Sequence, residues 1–194
     1  ETLEGGASFA RPTLDFDAED ADAAPSPAAF AAGFRLNTEF IDEAREAALL
    51  AAIDARPWDE SIHRRTQHYG RVFEYNTKTI GRAATSLPPC FDELLKMVCA
   101  ATGWPRADQI TVNEYLPGMG IAAHVETHAA FDDGIGALTL GTGCAFRIAR
   151  VPAADDEPAP RQTLWLAPRS LLTFAGAARY EWTHAIPPRK SDRV

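Results

Sequence analysis

A series of short apolar runs after Trp104 is the feature that most constrains the fold of this chain. Glycine and proline separate these strand-like runs at regular intervals. Many short strands with such spacing are typical of a β-sandwich or a barrel. The expected strands cover residues 110–115, 121–125, 135–140, 144–149, 163–166, 170–174 and 180–184.

Two helical segments precede these strands. Asp42 can cap a helix that continues to about Ala55, and a second helix is expected from Pro89 to just before Gly103. Between them, residues 71–75 alternate as a strand does. The sequence therefore predicts one α+β domain over residues 34–194, with N-terminal helices buttressing one face of the β unit.

Residues 1–33 differ from the rest in composition. They are rich in alanine, aspartate and proline, and they hold seven acidic residues against one arginine. Such a segment buries too little apolar surface to offset its ordering entropy, so we expect a disordered tail or linker. Much of the net charge of −8 therefore belongs to this segment, and the remaining chain is close to neutral.

A locally basic stretch lies between the two predicted helices. Residues 61–82 carry five lysine or arginine side chains against a single glutamate, interleaved with histidine, tyrosine and phenylalanine. Basic and aromatic side chains together suit a phosphate backbone with unstacked bases. A solvated loop over the edge of the core is the alternative, and these residues alone favour that alternative.

Several classes of protein find no support in the sequence. The three cysteines form no CxxC pair, which disfavours a disulfide framework and favours an intracellular compartment, cytoplasmic or nuclear. No apolar run is long enough to cross a membrane, and no signal peptide is visible. Neither a G-x-S-x-G motif nor a P-loop occurs.

The segment around His124 and Glu126 is the best candidate for chemistry. Residues two apart on a strand point to the same face, so an imidazole and a carboxylate could bind one divalent metal there. His184 is the best third ligand, which would complete the facial triad of non-haem Fe(II) oxygenases. His128 could compete as a ligand, and the spacing does not match the HExxH motif of zinc proteases.

Asn113 and Tyr115 form a second pair at the same spacing. An amide and a phenol that face inward could hydrogen-bond a small dicarboxylate. A half-buried strand with polar edges is the alternative for this pair.

Taken in order, these motifs resemble the core of AlkB-type Fe(II)/2-oxoglutarate dioxygenases over residues 34–194. The closest branch is the one whose animal members hydroxylate modified wobble uridines in tRNA. The matching motifs are Arg64-Arg65-Thr66-Gln67-His68-Tyr69-Gly70, Asn113-x-Tyr115, Pro117-Gly118-x-Gly120-Ile121, His124-x-Glu126-x-His128, Leu138-Thr139-Leu140-Gly141, Pro168-Arg169-Ser170-Leu171-Leu172, Arg179-Tyr180 and Trp182-Thr183-His184.

The resemblance implies a double-stranded β-helix (jelly roll) that oxidises a modified base in nucleic acid by demethylation or hydroxylation, with RNA or tRNA slightly preferred over DNA. Fe(II) and 2-oxoglutarate would be the cofactors, and no membrane is involved. The residues and roles carried over are His124, Glu126 and His184 as metal ligands, Asn113 and Tyr115 as contacts to 2-oxoglutarate, and Arg64, Arg65, His68 and Tyr69 facing the nucleic acid or its target base.

Two departures from the family pattern support a second hypothesis. Glu126 stands where the family normally has aspartate, and after His184 the only arginines are Arg189 and Arg193. Both lie too close to His184 to be the expected clasp for 2-oxoglutarate. Either the last strand is absent from this sequence or 2-oxoglutarate is held differently. The second hypothesis is a degenerate, catalytically weak or inactive module that binds nucleic acid or a protein partner.

Overall fold

The computed structural model describes residues 24–74, 77, 79–83, 86–105, 107, 109–128, 131–152 and 159–189. In these ranges no helix is long and apolar enough to cross a membrane. The helices are α1 (Pro27–Ala32), α2 (Glu43–Asp54), α3 (Pro89–Thr102) and α4 (Ala177–Tyr180). The strands are β1 (Phe34–Asn37), β2 (Thr66–Tyr69), β3 (Arg71–Glu74), β4 (Thr79–Ala83), β5 (Ile110–Asn113), β6 (Ile121–His124), β7 (Ile135–Leu138), β8 (Cys144–Arg150), β9 (Arg161–Leu166), β10 (Leu171–Phe174) and β11 (Trp182–Ile186).

Two antiparallel sheets form the centre of the fold. One has the order β6-β11-β8-β9 and the other the order β1-β10-β7. Side chains from both sheets share one buried cluster, in which the rings of Phe34 and Trp182 lie 5.6 Å apart. This arrangement confirms the predicted jelly roll, because two sheets of short strands bury their inner faces against each other.

The long helices pack on a second core. Asp42 caps α2 by accepting a hydrogen bond from the Arg45 amide, and Gly103 ends α3 in the left-handed conformation, so both predicted helices are confirmed. Leu49 and Phe91 are buried with residues of β2 and β5. The helices thus buttress the β unit, as the sequence indicated.

The predicted tail over residues 1–33 needs a correction at its end. Residues 1–23 lie outside the described part of the chain, but Pro27–Ala32 form α1. The Ser26 side chain caps this helix, Gly33 ends it, and Ala29 is fully buried in the first core. Small alanine side chains let the helix approach the sheet closely, a use of alanine that composition alone does not reveal.

Strands β1, β2 and β4 were not expected from the sequence, and the start of the last strand also differs from the expectation. β2 was not expected, because its sequence TQHY lacks the apolar alternation of a strand, yet it pairs with β5 in antiparallel register. Tyr180 was expected to begin the last strand but ends the short helix α4. Of the basic segment, Tyr75 and Lys78 lie outside the described residues, as does Arg193 near the end of the chain.

Glu46 tethers α2 to the β unit. One carboxylate oxygen accepts a hydrogen bond from the Gly141 amide at 2.9 Å, and the other accepts from Arg169 at 3.1 Å. Its side chain is only 12% exposed, whereas that of Glu43, one turn earlier and 3.9 Å from Arg169, is 87% exposed. Because Glu46 is partly buried, its charged hydrogen bonds are stronger than the exposed ion pair between Glu43 and Arg169.

We expect Glu46→Ala to lower the free energy of unfolding by about 1–3 kcal/mol, because it removes the carboxylate that accepts from both the Gly141 amide and the partly buried Arg169 guanidinium. Urea denaturation measures this change. Glu43→Ala is the matched control and should change stability by less than about 0.5 kcal/mol. Equal losses in the two variants would contradict the tether.

Candidate metal centre

The pairing of β6 with β11 brings two histidines together. His124 and His184 are direct partners in the antiparallel register, and their ring centroids lie 4.3 Å apart. Gly120 precedes β6 and permits this pairing, because a Cβ there would lie 2.3 Å from the carbonyl oxygen of Ile186. Side chains of directly opposed residues share a face of the sheet, so both imidazoles point the same way.

Glu126 completes the cluster from a loop rather than from the strand. β6 ends at His124, so the strand alternation expected to align Glu126 does not extend to it. The carboxylate nevertheless reaches both imidazoles: its Oε1 lies 3.3 Å from His184 Nε2 and 3.9 Å from His124 Nε2. One ligand atom from each of these residues lies within 4.8 Å of the others.

These donors fit a divalent metal ion. Metal–ligand bonds of about 2.1 Å place adjacent donors of an octahedral ion about 3 Å apart, close to the separations of Glu126 Oε1 from the two imidazoles. The Nδ1 of His124 lies 2.8 Å from the Ala122 carbonyl oxygen, a contact that fixes Nδ1 as the donor. Its Nε2 is then left with a lone pair for the metal.

The centre has a closed side and an open side. The His184 side chain is only 8% exposed; its ring is stacked on Phe146 at 5.5 Å and lies 5.2 Å from the ring of Phe174. The side chains of His124 and Glu126 are 35% and 25% exposed. A substrate can therefore approach from the side of His124 and Glu126.

Burial and neighbouring charges shift the pKa of two of these groups. Burial lowers the pKa of His124, and His184 lowers it further. Burial alone would raise the pKa of Glu126, but the hydrogen bond from His184 and the positive charges around the carboxylate outweigh it and lower the pKa. A neutral imidazole and an ionised carboxylate are the forms that bind a metal.

Metal affinity should therefore weaken on acidification. With both pKa values lowered, protons compete with the metal at His124 and Glu126 only below about pH 6.5, the ordinary pKa of histidine. In an electron paramagnetic resonance titration, we expect the Kd for Mn²⁺ to change little between about pH 8 and 7 and to rise below about pH 6. A Kd that already rises several-fold between about pH 8 and 7 would contradict this assignment.

His128, the rival ligand, lies outside the cluster. Its ring makes an edge contact with Tyr180, with centroids 5.0 Å apart, and it is not part of the metal-binding group. The turn at His128 removes it from the strand face on which the spacing would have placed it.

The predicted 2-oxoglutarate residues follow one another at the end of β5. Asn113 ends that strand and Tyr115 lies two residues beyond it, both half-buried. Arg64 Nε donates a hydrogen bond to Asn113 Oδ1 at 2.8 Å. The charge of Arg64 also contributes to the lowered pKa of His124, after burial and the charge of His184.

The other predicted substrate residues do not share one surface. Tyr69 is 1% exposed and packs in the second core, where its hydroxyl donates to Gln67 Oε1; burial raises its pKa. The expectation that Tyr69 faces nucleic acid is therefore wrong, because β2 turns that side chain towards the helices. His68 faces the opposite way and lies 3.3 Å from the Thr111 hydroxyl through Nδ1.

Arg65 is engaged within the protein. Its Nε and Nη2 donate to the two carboxylate oxygens of Glu114 at 2.6 and 2.5 Å, and its guanidinium lies 4.9 Å from the centroid of the Trp58 ring. A phosphate would have to compete with Glu114 for this guanidinium. The basic residues counted in the sequence therefore overstate the positive charge offered to a nucleic acid.

Sequence analysis missed the role of Arg179. Its guanidinium is fully buried and donates to main-chain carbonyls of the loop that holds Glu126. An isolated arginine carries no periodic signal, so only the fold reveals this contact.

Comparisons with known proteins identify the family of this chain. The sequence matches the family model described as "2OG-Fe(II) oxygenase superfamily" over residues 37–193, so the chain belongs to that superfamily. Oxygenases of this superfamily use Fe(II) and 2-oxoglutarate, and His124, Glu126 and His184 of this chain form a group that could hold a metal ion. A solved structure, "The structure of OsALKBH1", shares the fold with a TM-score of 0.66 at 15% identity, over 80% of this chain and 85% of that one.

Relatives with similar sequences carry ALKBH8 names. An "Alkylated DNA repair protein ALKBH8 homolog" of Arabidopsis thaliana is 35% identical over 84% of this chain and 53% of its own length. A "tRNA (carboxymethyluridine(34)-5-O)-methyltransferase alkbh8" of Xenopus tropicalis is 34% identical over 84% of this chain and 26% of its own length. The chain is homologous to both but spans only about half of the first and a quarter of the second.

Proposed function

We propose that this protein oxidises a modified base in nucleic acid, with tRNA as the preferred substrate. The observation that carries the proposal is the convergence of His124, Glu126 and His184 inside the jelly roll of a 2OG-Fe(II) oxygenase. The Xenopus relative is named for a modification of uridine 34 in tRNA, which favours RNA as the substrate class.

In this proposal each residue of the centre has a role. His124, Glu126 and His184 hold Fe(II), and Asn113 and Tyr115 contact 2-oxoglutarate. Iron and 2-oxoglutarate, when bound, supply oxidation by O₂: one oxygen atom enters succinate as CO₂ leaves, and the other enters a C–H bond of the substrate. Two imidazoles and one carboxylate would hold Fe(II) as the ligand set typical of non-haem Fe(II) oxygenases.

The residues around the iron would orient the target base. Phe146 and Phe174 keep His184 dry on the closed side, so the base approaches beside His124 and Glu126. Arg64 lies near His124 and would supply positive charge towards a phosphate or a polar group of the base. Flipping the base out of its stack would bring it to the exposed side of His124 and Glu126.

The direct test is turnover of 2-oxoglutarate with defined nucleic acids. Protein prepared without oxygen and loaded with Fe(II) is mixed with air, 2-oxoglutarate and either modified tRNA, the same tRNA sequence without modifications, or a methylated DNA oligonucleotide. We expect succinate to form in step with an oxidised nucleoside, detected by mass spectrometry, and most strongly with modified tRNA. Matched His184→Ala protein should form neither product.

Two outcomes would overturn this proposal. Tight binding of nucleic acid without metal uptake or succinate would favour the inactive binding module. Succinate formation that depends on iron, but without oxidation of any nucleic acid, would point to another substrate.

The reach of the Glu126 side chain leads to a prediction about the departure from aspartate at this position. If the longer side chain misplaced its carboxylate, Glu126→Asp should tighten metal binding; in the structure, however, the glutamate already reaches both imidazoles. Shortening it by one methylene withdraws the carboxylate, so we expect Glu126→Asp to raise the Kd for Mn²⁺ by about tenfold or more. Isothermal titration measures the Kd, and tighter binding by the aspartate variant would contradict the fit.

Arg64 should affect the binding of 2-oxoglutarate through Asn113. Because Arg64 occupies the amide oxygen, the Asn113 NH₂ is oriented to donate to a carboxylate. We expect Arg64→Ala and Asn113→Ala each to weaken 2-oxoglutarate binding to Mn²⁺-loaded protein by about fivefold or more, with little further loss in the double variant. Fully additive losses would show that the two residues act separately.

A further inference from the structure

A fully buried guanidinium lies beside the candidate metal centre. Arg179, at 0% exposure, is the largest of the fully buried side chains in the described part of the chain. Burying a cation costs free energy unless it is hydrogen-bonded, so the hydrogen-bond partners of Arg179 indicate its structural role. Those partners are main-chain carbonyl oxygens, and each belongs to the segment between β6 and β7.

The contacts of Arg179 begin at a metal-ligand candidate. Nη1 donates to the Glu126 carbonyl at 2.8 Å, and Nη2 donates to the Thr127 carbonyl at 3.0 Å. On the far side of the same segment, Nη2 and Nε lie 3.4 Å from the carbonyls of Phe131 and Asp132. The planar guanidinium of Arg179 therefore joins the residues that follow β6 to those that precede β7.

This contact supplies what the sheet does not. The β6–β11 register pairs His124 with His184 and does not continue to Glu126, so strand pairing leaves the Glu126 backbone unheld. Arg179 lies on α4, which leads directly into β11 and His184. It thus fixes the loop that carries the carboxylate relative to the strand that carries an imidazole.

We propose that Arg179 is a positioning residue for the metal centre: it holds the Glu126 backbone where the glutamate side chain reaches both histidines. This inference rests on the proposed metal ligands. Lysine cannot make the same set of hydrogen bonds, because its ammonium is a compact point charge, whereas the guanidinium presents five donors in a fixed geometry. The charge is retained in Arg179→Lys, so this variant tests the geometry of the contact rather than its charge.

The first experiment compares Arg179→Lys with Arg169→Lys. Both variants replace a guanidinium that makes tertiary hydrogen bonds by an ammonium group. Arg169, however, donates to Glu46 on α2 and not to the loop that carries Glu126. Circular dichroism identifies a temperature at which each variant is folded, and electron paramagnetic resonance then gives the Kd for Mn²⁺. We expect a rise of about 10–100-fold for Arg179→Lys and less than about twofold for Arg169→Lys. A folded Arg179→Lys protein with wild-type affinity would overturn the proposal.

A second background separates positioning from general loosening of the fold. Glu126→Ala leaves two imidazoles as ligands, so Arg179→Lys should cause no further loss of Mn²⁺ affinity in that background. Control protein with His124→Ala retains the carboxylate and should still lose affinity when Arg179 is changed. Equal losses in the wild-type and Glu126→Ala backgrounds would overturn the proposal, because Arg179 would then act on the whole site.

Hydrogen exchange on the unaltered protein covers the case in which Arg179→Lys does not fold. We expect the exchange rates of the amides of residues 126–128 to change less than about twofold when Mn²⁺ is added, since Arg179 already orders this backbone through its carbonyl groups. Free exchange that ends only on metal addition would overturn the proposal.

Wild-type protein that binds no Mn²⁺ would contradict the metal centre itself, whereas metal binding without nucleic-acid oxidation would contradict only the proposed substrate.

Discussion

The antiparallel pairing of β6 with β11 is the constraint on which the candidate site depends. It places His124 directly opposite His184, although the two residues are sixty positions apart in the sequence. Neither imidazole could hold a metal alone, and no local segment could bring them together. The jelly roll therefore brings the candidate metal ligands together by pairing strands that are distant in the sequence. The sheet fixes the two histidines, and Glu126 joins them from the loop that follows β6.

The sequence predicts the parts of this protein whose signals are local. Caps and helical spacing located α2 and α3, and glycine and proline separated most of the strands of the two sheets. The two histidines and the glutamate could be recognised as candidate ligands, because few residue types bind metals and the order of the motifs resembles that of a family. What composition could not show was that the alanine-rich Pro27–Ala32 segment packs as a helix on the sheet.

Signals that depend on tertiary contacts were lost or misinterpreted. Tyr69 and Arg65 looked like neighbours on a basic, aromatic surface, but strand alternation sends Tyr69 into the core and Glu114 engages Arg65. Arg179 belongs to a motif that matches the family, but the motif assigned it no role, because its partners are carbonyl oxygens that every residue possesses. Side-chain type predicts chemistry only after the backbone has determined the direction in which each side chain points.

If nucleic acid is the substrate, as proposed, the pairing of Arg65 with Glu114 affects how the protein discriminates between nucleic acids. The two carboxylate oxygens present to the guanidinium the same bidentate acceptor that a phosphate would present. An internal anion of this kind competes with every polyanion equally, whatever its sequence, and so weakens contacts that rely on the backbone charge alone. Under the proposed function, selection of a nucleic acid would then depend more on the base that approaches His124 and Glu126 than on the number of phosphates that contact the surface.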